Sequence, residues 1–371
     1  MGSAQSLDAY SMETRAAPES RRADAELVEG YLSGSSVSPL LLCGDALEIL
    51  RSVPDESIDC CMTSPPYWKK RQYACEGIGQ ESTAAEYVRN LLEITGEIKR
   101  ALKPAGSFWL NVGDTYQDKS LQSIPWRIAI EMTDSQGWIL RNTVVWNKVK
   151  GNPDNSADKL RNMYEPVFHF VKCKKYYYDV DSARNPPSKA EVRDGRAVSS
   201  TGVSGVRYRK QIEGSSVLSA EQKESAVREL DRALEDMREG RLFDFRMIIK
   251  GQQRATHSDS ESVSGRAKEL NRNGFYILRN NPSGSKPGDV WNIVPEDTQN
   301  RGGHYAAYPE ELCLNPIKMT CPKEGVVLDP FCGTGTTMKA AMGLGRKSIG
   351  IDVSSEYIRL SEGRVDGKQS V

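Results

Sequence analysis

"VVLDPFCGTGTTMKAA", residues 326–341, is the stretch on which the fold turns. An apolar run closed by an acid, then a glycine-rich turn, then a helix-forming run reads as strand, turn and helix. That arrangement brings a ligand against backbone amides at a helix N-terminus. A phosphate-cradling loop needs Gly-Lys-Ser/Thr after its glycines, and no lysine precedes Lys339 here. A dinucleotide fingerprint needs a third glycine, but Met338 stands in that place after Gly333 and Gly335.

The next apolar run, "IGIDVS", ends on Asp352, seventeen residues beyond Gly335. A carboxylate there can take both hydroxyls of a ribose through charge-assisted hydrogen bonds. The site suits a nucleoside without a pyrophosphate. S-adenosylmethionine meets that description, with its methionine carboxylate and amine facing the turn amides and Asp329. A purely structural turn with a capping acid explains the two glycines, but not "DPF" and the ribose acid together.

Outward from this turn, short buried runs alternate with helical patterns. "SPLLLCGDALEILRSVPDESIDCCM" predicts a strand at 40–43, a helix from about 46 to 51 and a strand at 58–62. "TAAEYVRNLLEITGEIKRAL" is a helix, "GSFWLNVGD" a strand, "IPWRIAIEMTDSQGW" a helix and "ILRNTVVWNK" a strand. This alternation predicts a Rossmann-like, doubly wound α/β fold. The pattern breaks over residues 182–288, rich in Ser, Gly, Arg and Asn, which read as an inserted, partly looped module. Its one clear helix starts at Ser219, where "SAEQ" supplies a capping box and Val227, Leu230, Leu234 and Met237 form a seam. Residues 1–38 read as a flexible lead-in with room for a short helix, 39–181 and 289–362 as two halves of one domain, and 363–371 as a tail.

A second stretch, "MTSPPYWKK" at 62–70, sits where a strand ends. Proline fixes its own φ, lacks an amide hydrogen and confines the preceding residue to extended geometry. Two in succession leave the carbonyls of Ser64 and Pro65 as a rigid row of acceptors. The exocyclic amine of a base has two hydrogens to give and a delocalised lone pair. Acceptors on those hydrogens draw its nitrogen toward a nucleophilic shape. Tyr67 and Trp68 offer ring faces for a base flipped from its duplex. The bland alternative is a proline turn with an aromatic plug.

Fifty basic and fifty acidic residues balance over the chain, yet residues 141–210 hold fifteen Lys and Arg against seven Asp and Glu, a net of +8. "KCKKYYYDV" and "GVRYRK" interleave cations with tyrosines, which suits phosphates and bases as well as a solvated basic face. Eight cysteines without a C-x-x-C pair, and three histidines, argue for scattered reduced thiols and no metal site. No apolar run approaches the roughly 20 residues a membrane-spanning helix needs.

"TSPPYW" and "DPFCGTGTT" together resemble the β-class amino DNA methyltransferases, specifically the cytosine-N4 type of restriction-modification systems. The β class places the catalytic motif first and the cofactor turn near the C-terminus, and this chain shares that circularly permuted order over about residues 39–362. The resemblance implies a catalytic loop of Ser64, Pro65, Pro66 and Tyr67. It implies a cofactor site of Asp329, Phe331, Gly333, Gly335, Thr336 and Asp352, with Asp45 near the adenine amine. "GGHYAAYPEELCLNPI" is similar to the family's His-Pro-Ala-x-Phe-Pro segment, which would put His304 at the methionine end, although Tyr305 replaces Pro and Tyr308 replaces Phe. Residues 182–288 would be the target-recognition module, with Arg207, Arg209 and Lys210 as DNA contacts beside Trp68. The implied partners are double-stranded DNA, a homodimer mate and a cognate restriction endonuclease, in the cytoplasm of a bacterial or archaeal cell.

The family's adenine-N6 enzymes usually carry Asp or Asn before the prolines, whereas Ser64 points to cytosine-N4. Carbon-5 methylation would use a cysteine after a proline, and none exists here. Two other readings stay open at this level: adenine-N6 or RNA amino-methylation by the same chemistry, and a non-catalytic nucleic-acid binder on the same fold.

Overall fold

The computed structural model describes residues 19–70, 77–150, 155–187, 191–193, 196–199, 202–251, 265–296 and 308–365. It divides into two compact units, Met1–Ser182 with Gly288–Val371, and Ala183–Pro287.

The first unit is built on eight strands: β1 (Leu40–Cys43), β2 (Ile58–Thr63), β3 (Leu102–Asn111), β4 (Ile139–Asn147), β5 (Tyr164–Val171), β6 (Val290–Asn292), β7 (Val326–Asp329) and β8 (Lys347–Asp352). They lie in the order β1-β8-β7-β2-β3-β5-β4-β6. All neighbours are parallel except that β5 runs against both β3 and β4. The sequence predicts every one of these strands except β5 and β6. β6 is a three-residue edge strand too short to carry a pattern, and β5 begins well beyond the end of β4 with no helical pattern between them.

Helices connect the parallel strands, as crossovers between them require. The longest, Ala84–Ala101 between β2 and β3, opens on a reciprocal capping box between Thr83 and Glu86 and buries Tyr87, Leu91, Ile94 and Ile98. Its buried face meets Phe108, Phe168 and Phe170 of the sheet in one core cluster. Trp109 points to the opposite face, where its Nε1 donates to Thr320 Oγ1 at 3.0 Å. Covering the sheet on both faces explains why β2 is buried at every position. Each fully buried aromatic or leucine stabilises the unit by about 1.5–3 kcal/mol.

Within the lead-in, residues 19–33 are packed on the sheet. They form a helix, Glu19–Ser33, whose Val28 is fully buried. The Tyr31 hydroxyl accepts from Ser348 N at 2.9 Å. The large apolar positions of this helix are Leu27, Val28, Tyr31 and Leu32, of which Val28, Tyr31 and Leu32 pack on the core.

The second unit has more regular structure than its composition suggests. Its capped helix is Ala220–Arg238, with the Ser219–Gln222 capping box formed in both directions. That helix buries Leu230 and Met237 against an antiparallel pair, Phe245–Ile249 with Phe275–Arg279. Helix Val206–Glu213 adds Ile212 to the same small core.

Candidate active site

β2, β3, β7 and β8 are parallel, so Thr63, Asn111, Asp329 and Asp352 end at one edge of the sheet. β5 runs the other way and therefore begins at this edge, with Tyr164 and Glu165. Ligands of open α/β sheets bind at such carboxyl ends.

The glycine turn follows β7. Gly333 and Gly335 have φ of 52° and 77°, the left-handed region that glycine enters without penalty. A Cβ on Gly335 would lie 2.1 Å from Ser361 Oγ, so the turn has no room for one. Helix Thr336–Gly343 begins here. Asp352 accepts from Gly333 N through Oδ2 and from Ser354 N through Oδ1, each at 2.9 Å. Burial raises its pKa, partly offset by those two amides. A carboxylate has about four acceptor positions, so Asp352 keeps capacity for two more donors.

Asp329 is 1% exposed and its acceptor positions are filled from within. Oδ1 accepts from Thr63 Oγ1 at 2.5 Å and Phe331 N at 3.1 Å; Oδ2 accepts from Thr337 Oγ1 at 2.6 Å and Tyr308 Oη at 3.0 Å. This corrects the expectation that Asp329 faces a ligand amine. It instead joins the end of β2 to the glycine turn. Burial raises its pKa against the pull of those donors. The departure from Phe at Tyr308 is explained as well, because its hydroxyl reaches Asp329 Oδ2 and lies beside Thr337 Oγ1.

The proline corner is held from several sides. Tyr87 Oη donates to the Pro66 carbonyl at 2.8 Å. The Tyr67 ring lies on the backbone of Gly113, where a Cβ would come within 2.4 Å of Tyr67 Cε2. Ser64 Oγ donates to Tyr67 Oη at 3.3 Å, and Tyr67 Oη lies 2.8 Å from Glu165 Oε2 and 3.2 Å from Asn111 Oδ1. Burial and the Glu165 charge push the Tyr67 pKa well above its usual range, keeping the phenol neutral. Lys148 pairs with Glu165.

A sequence model of the DNA methylase family, the N6/N4 methyltransferases, matches residues 58–363. The chain belongs to this family. The type II methyltransferase M.SfiI of Streptomyces fimbriatus is 30% identical to it over 86% of this chain and 89% of its own length. The type II methyltransferase M.SmaI of Serratia marcescens is 25% identical over 91% of this chain and 94% of its own. Among solved structures, the PvuII DNA methyltransferase (cytosine-N4-specific) superposes with a TM-score of 0.54 at 18% identity, covering 90% of this chain and 92% of its own, a likeness of fold. The protein is a DNA methyltransferase of the N6/N4 type, from the type II restriction-modification class, and its methyl donor is S-adenosyl-L-methionine.

The residues of the methyltransferase fit that donor. The turn combines a backbone packed too closely on Ser361 to admit a Cβ at Gly335 with an acid holding two further acceptor positions, and Thr334 Oγ1 within it is buried with no partner among the described residues. Phe331 is half-buried against the core, and Thr336 Oγ1 accepts from Arg364 at 2.9 Å. Asp45 is exposed and caps helix Ala46–Leu50 by accepting from Glu48 N at 3.0 Å. His304 lies outside the described residues.

Trp68 corrects a second expectation. It is 1% exposed, its Nε1 donates to Glu81 O at 2.9 Å, and it belongs to the core, so it offers no ring face to a base. Arg207 and Lys210 are exposed on helix Val206–Glu213, while Arg209 is paired with Asp231. In "KCKKYYYDV", Tyr176 and Tyr178 pack on buried His169.

Sequence reasoning passed over Thr63, Asn111, Gly113, Lys148 and Glu165. Two signals were available. "NVGD" places a glycine two residues past the end of a buried strand, and "YEPVFHF" sets an acid at the mouth of an apolar run.

Proposed function

We propose that this methyltransferase acts on the exocyclic N4 amine of cytosine in double-stranded DNA, with the target base turned out of the helix to reach the proline corner. The observation that carries the reading is Ser64, a serine in front of two prolines, where the family's adenine enzymes usually hold an acid or amide. The cytosine-N4 specificity named for the PvuII enzyme agrees with it.

Bound S-adenosylmethionine supplies an electrophilic methyl group on a good leaving group. The chain's own residues do the rest by positioning, which removes much of the entropic barrier to a two-body reaction. In this scheme Asp352 takes the ribose hydroxyls, the amides after Gly333 receive the methionine carboxylate and the free oxygen of Asp45 accepts from the adenine amine. Pro66 already has Tyr87 on its carbonyl. The target amine therefore meets Ser64 and the Pro65 carbonyl, which hold its two hydrogens and direct the nitrogen lone pair at the methyl group. Tyr67 supplies the ring against which the flipped base stacks. Asp329 acts through the residues it joins.

The unit Ala183–Pro287 is assigned to target recognition. Arg207 and Lys210 are free to reach DNA, and Arg209 must leave Asp231 to do so. A solvated arginine pairs well with guanine in the major groove. The proposed setting is a prokaryotic cytoplasm containing a cognate endonuclease.

The test is to methylate DNA with the purified protein, digest it and identify the modified nucleoside by mass. N4-methylcytosine is expected; N6-methyladenine would overturn the choice of base. Ser64→Ala is expected to lower methyl transfer far more than cofactor affinity.

A further inference from the structure

We propose that Ser64, Tyr67 and Glu165 form the path by which the amine sheds its proton as it is methylated. The inference rests on the reading that the amine docks at Ser64, and it holds for a cytosine or an adenine amine.

An amine that gains a methyl group while keeping both hydrogens becomes a cation, a far stronger acid than any carboxylic acid. One hydrogen must leave. The corner is closed around by β2, β3 and β5, and a chain of oxygens leads away from it. Ser64 Oγ donates to Tyr67 Oη at 3.3 Å, and Tyr67 Oη donates to Glu165 Oε2 at 2.8 Å. Both hydrogens already point away from the substrate, the direction in which a proton must travel. Asn111 Oδ1 competes for the Tyr67 hydrogen at 3.2 Å, but an amide oxygen is too weak a base to keep a proton. Glu165 is the one base on the chain of contacts, and its side chain is 15% exposed. Lys148 on its other oxygen and Asn111 Nδ2 at 3.3 Å hold it aimed at Tyr67.

The step balances. The bond from nitrogen to the methyl carbon forms as the bond from sulfur to that carbon breaks, and the pair from the broken bond returns to sulfur. An N–H bond breaks, leaving its pair on nitrogen. That proton passes to Ser64 Oγ, the serine's own proton to Tyr67 Oη, and the tyrosine's to Glu165 Oε2. Serine and tyrosine finish neutral, and Glu165 finishes as a carboxylic acid that returns its proton to solvent.

Tyr67→Phe keeps the ring on Gly113 and deletes the middle oxygen. Glu165→Gln keeps an acceptor for Tyr67 and removes the base, so a merely structural role for Glu165 would survive it. Single-turnover methylation of a duplex oligonucleotide is expected to slow by about 10²-fold in both variants, the usual worth of general base catalysis. Calorimetric affinity for S-adenosylmethionine, DNA affinity and melting temperature are expected to stay near wild type for Tyr67→Phe. The wild-type rate should fall in heavy water, and that sensitivity should shrink in both variants. Glu165→Gln at the wild-type rate would overturn the path, as would a loss fully matched by lost cofactor or DNA affinity. Ser64→Ala identifies the other failure separately: a wild-type rate in that variant removes the amine from Ser64 and with it the docking assignment, whereas a slow Ser64→Ala beside a wild-type rate in Glu165→Gln removes the relay alone.

Discussion

Thr63 Oγ1 donates to Asp329 Oδ1 at 2.5 Å across 266 residues of sequence, joining the last residue of β2 to the last residue of β7. Ser64 follows one of these residues and the glycine turn follows the other. The two halves of the site are held in register by a buried carboxylate. Thr63→Val, nearly isosteric, is expected to destabilise the protein by about 1–3 kcal/mol, because a buried acceptor loses its partner. It should also slow methyl transfer with little change in cofactor affinity. Thermal denaturation, calorimetry and single-turnover assays together check this.

Tyr308→Phe restores the side chain that the family's segment carries and removes one of the four donors on Asp329. The expected loss is about 1–2 kcal/mol of stability. If Thr63 and Tyr308 act through the same carboxylate, the double variant should lose less or more than the sum of the two, and a double-mutant cycle reads that coupling.

Gly113→Ala tests the seat of Tyr67. The added Cβ would fall 2.4 Å from the ring, so Tyr67 must move and release Glu165. Turnover is expected to fall at least about tenfold, in line with the sensitivity of positioned groups to displacements near an ångström. Cofactor binding, which depends on the other half of the edge, should persist.

Asp352 carries a pKa raised by burial. Its ionised form is the one able to accept from a ribose, so cofactor affinity should decline as pH falls through that raised value, earlier than for an ordinary carboxylate. Asp352→Asn should weaken binding about tenfold or more, the worth of a charge-assisted hydrogen bond, and flatten the pH dependence. Calorimetric titrations across acidic pH give both.

His169 should make the fold acid-sensitive. It is buried, stacked on Trp109 at 4.1 Å, and its Nδ1 has no partner among the described residues. Burial, with the nearby Arg141 charge, pushes its pKa down to about 3. The unfolded chain binds a proton near the ordinary histidine value of about 6.5. Between those values the unfolded state holds more protons, so stability is present above the window and is lost as pH falls through it. His169→Gln is expected to shallow that loss, measured as the denaturant midpoint from about pH 7 to pH 4.

The parallel core was legible because β1, β2, β3, β7 and β8 are short apolar runs separated by helical patterns and punctuated by glycine and proline. The glycine turn and the proline corner were legible because both depend on residue types that few other geometries demand. The environment of each side chain was not legible. Trp68 is aromatic and adjacent to the corner, yet it points into the core, since nothing in a local pattern fixes direction just after two prolines. Asp329 reads as a ligand-facing acid until Thr63, Thr337 and Tyr308 are seen to surround it, and those three come from separate elements. Glu165 was missed for the same reason: β5 runs antiparallel, which alone carries its first residues to the edge where the parallel strands end.

The neighbouring positions of β2 and β7 also have a consequence for the order of synthesis. Leu328 pairs with Cys61 in the sheet, but the ribosome makes the whole Ala183–Pro287 unit between them. A nascent or truncated chain can expose the proline corner and still lack the strand beside it. Closing so long a loop comes late in folding. The sheet edge that brings the proline corner beside the glycine turn therefore comes into being only after the Ala183–Pro287 unit has been translated.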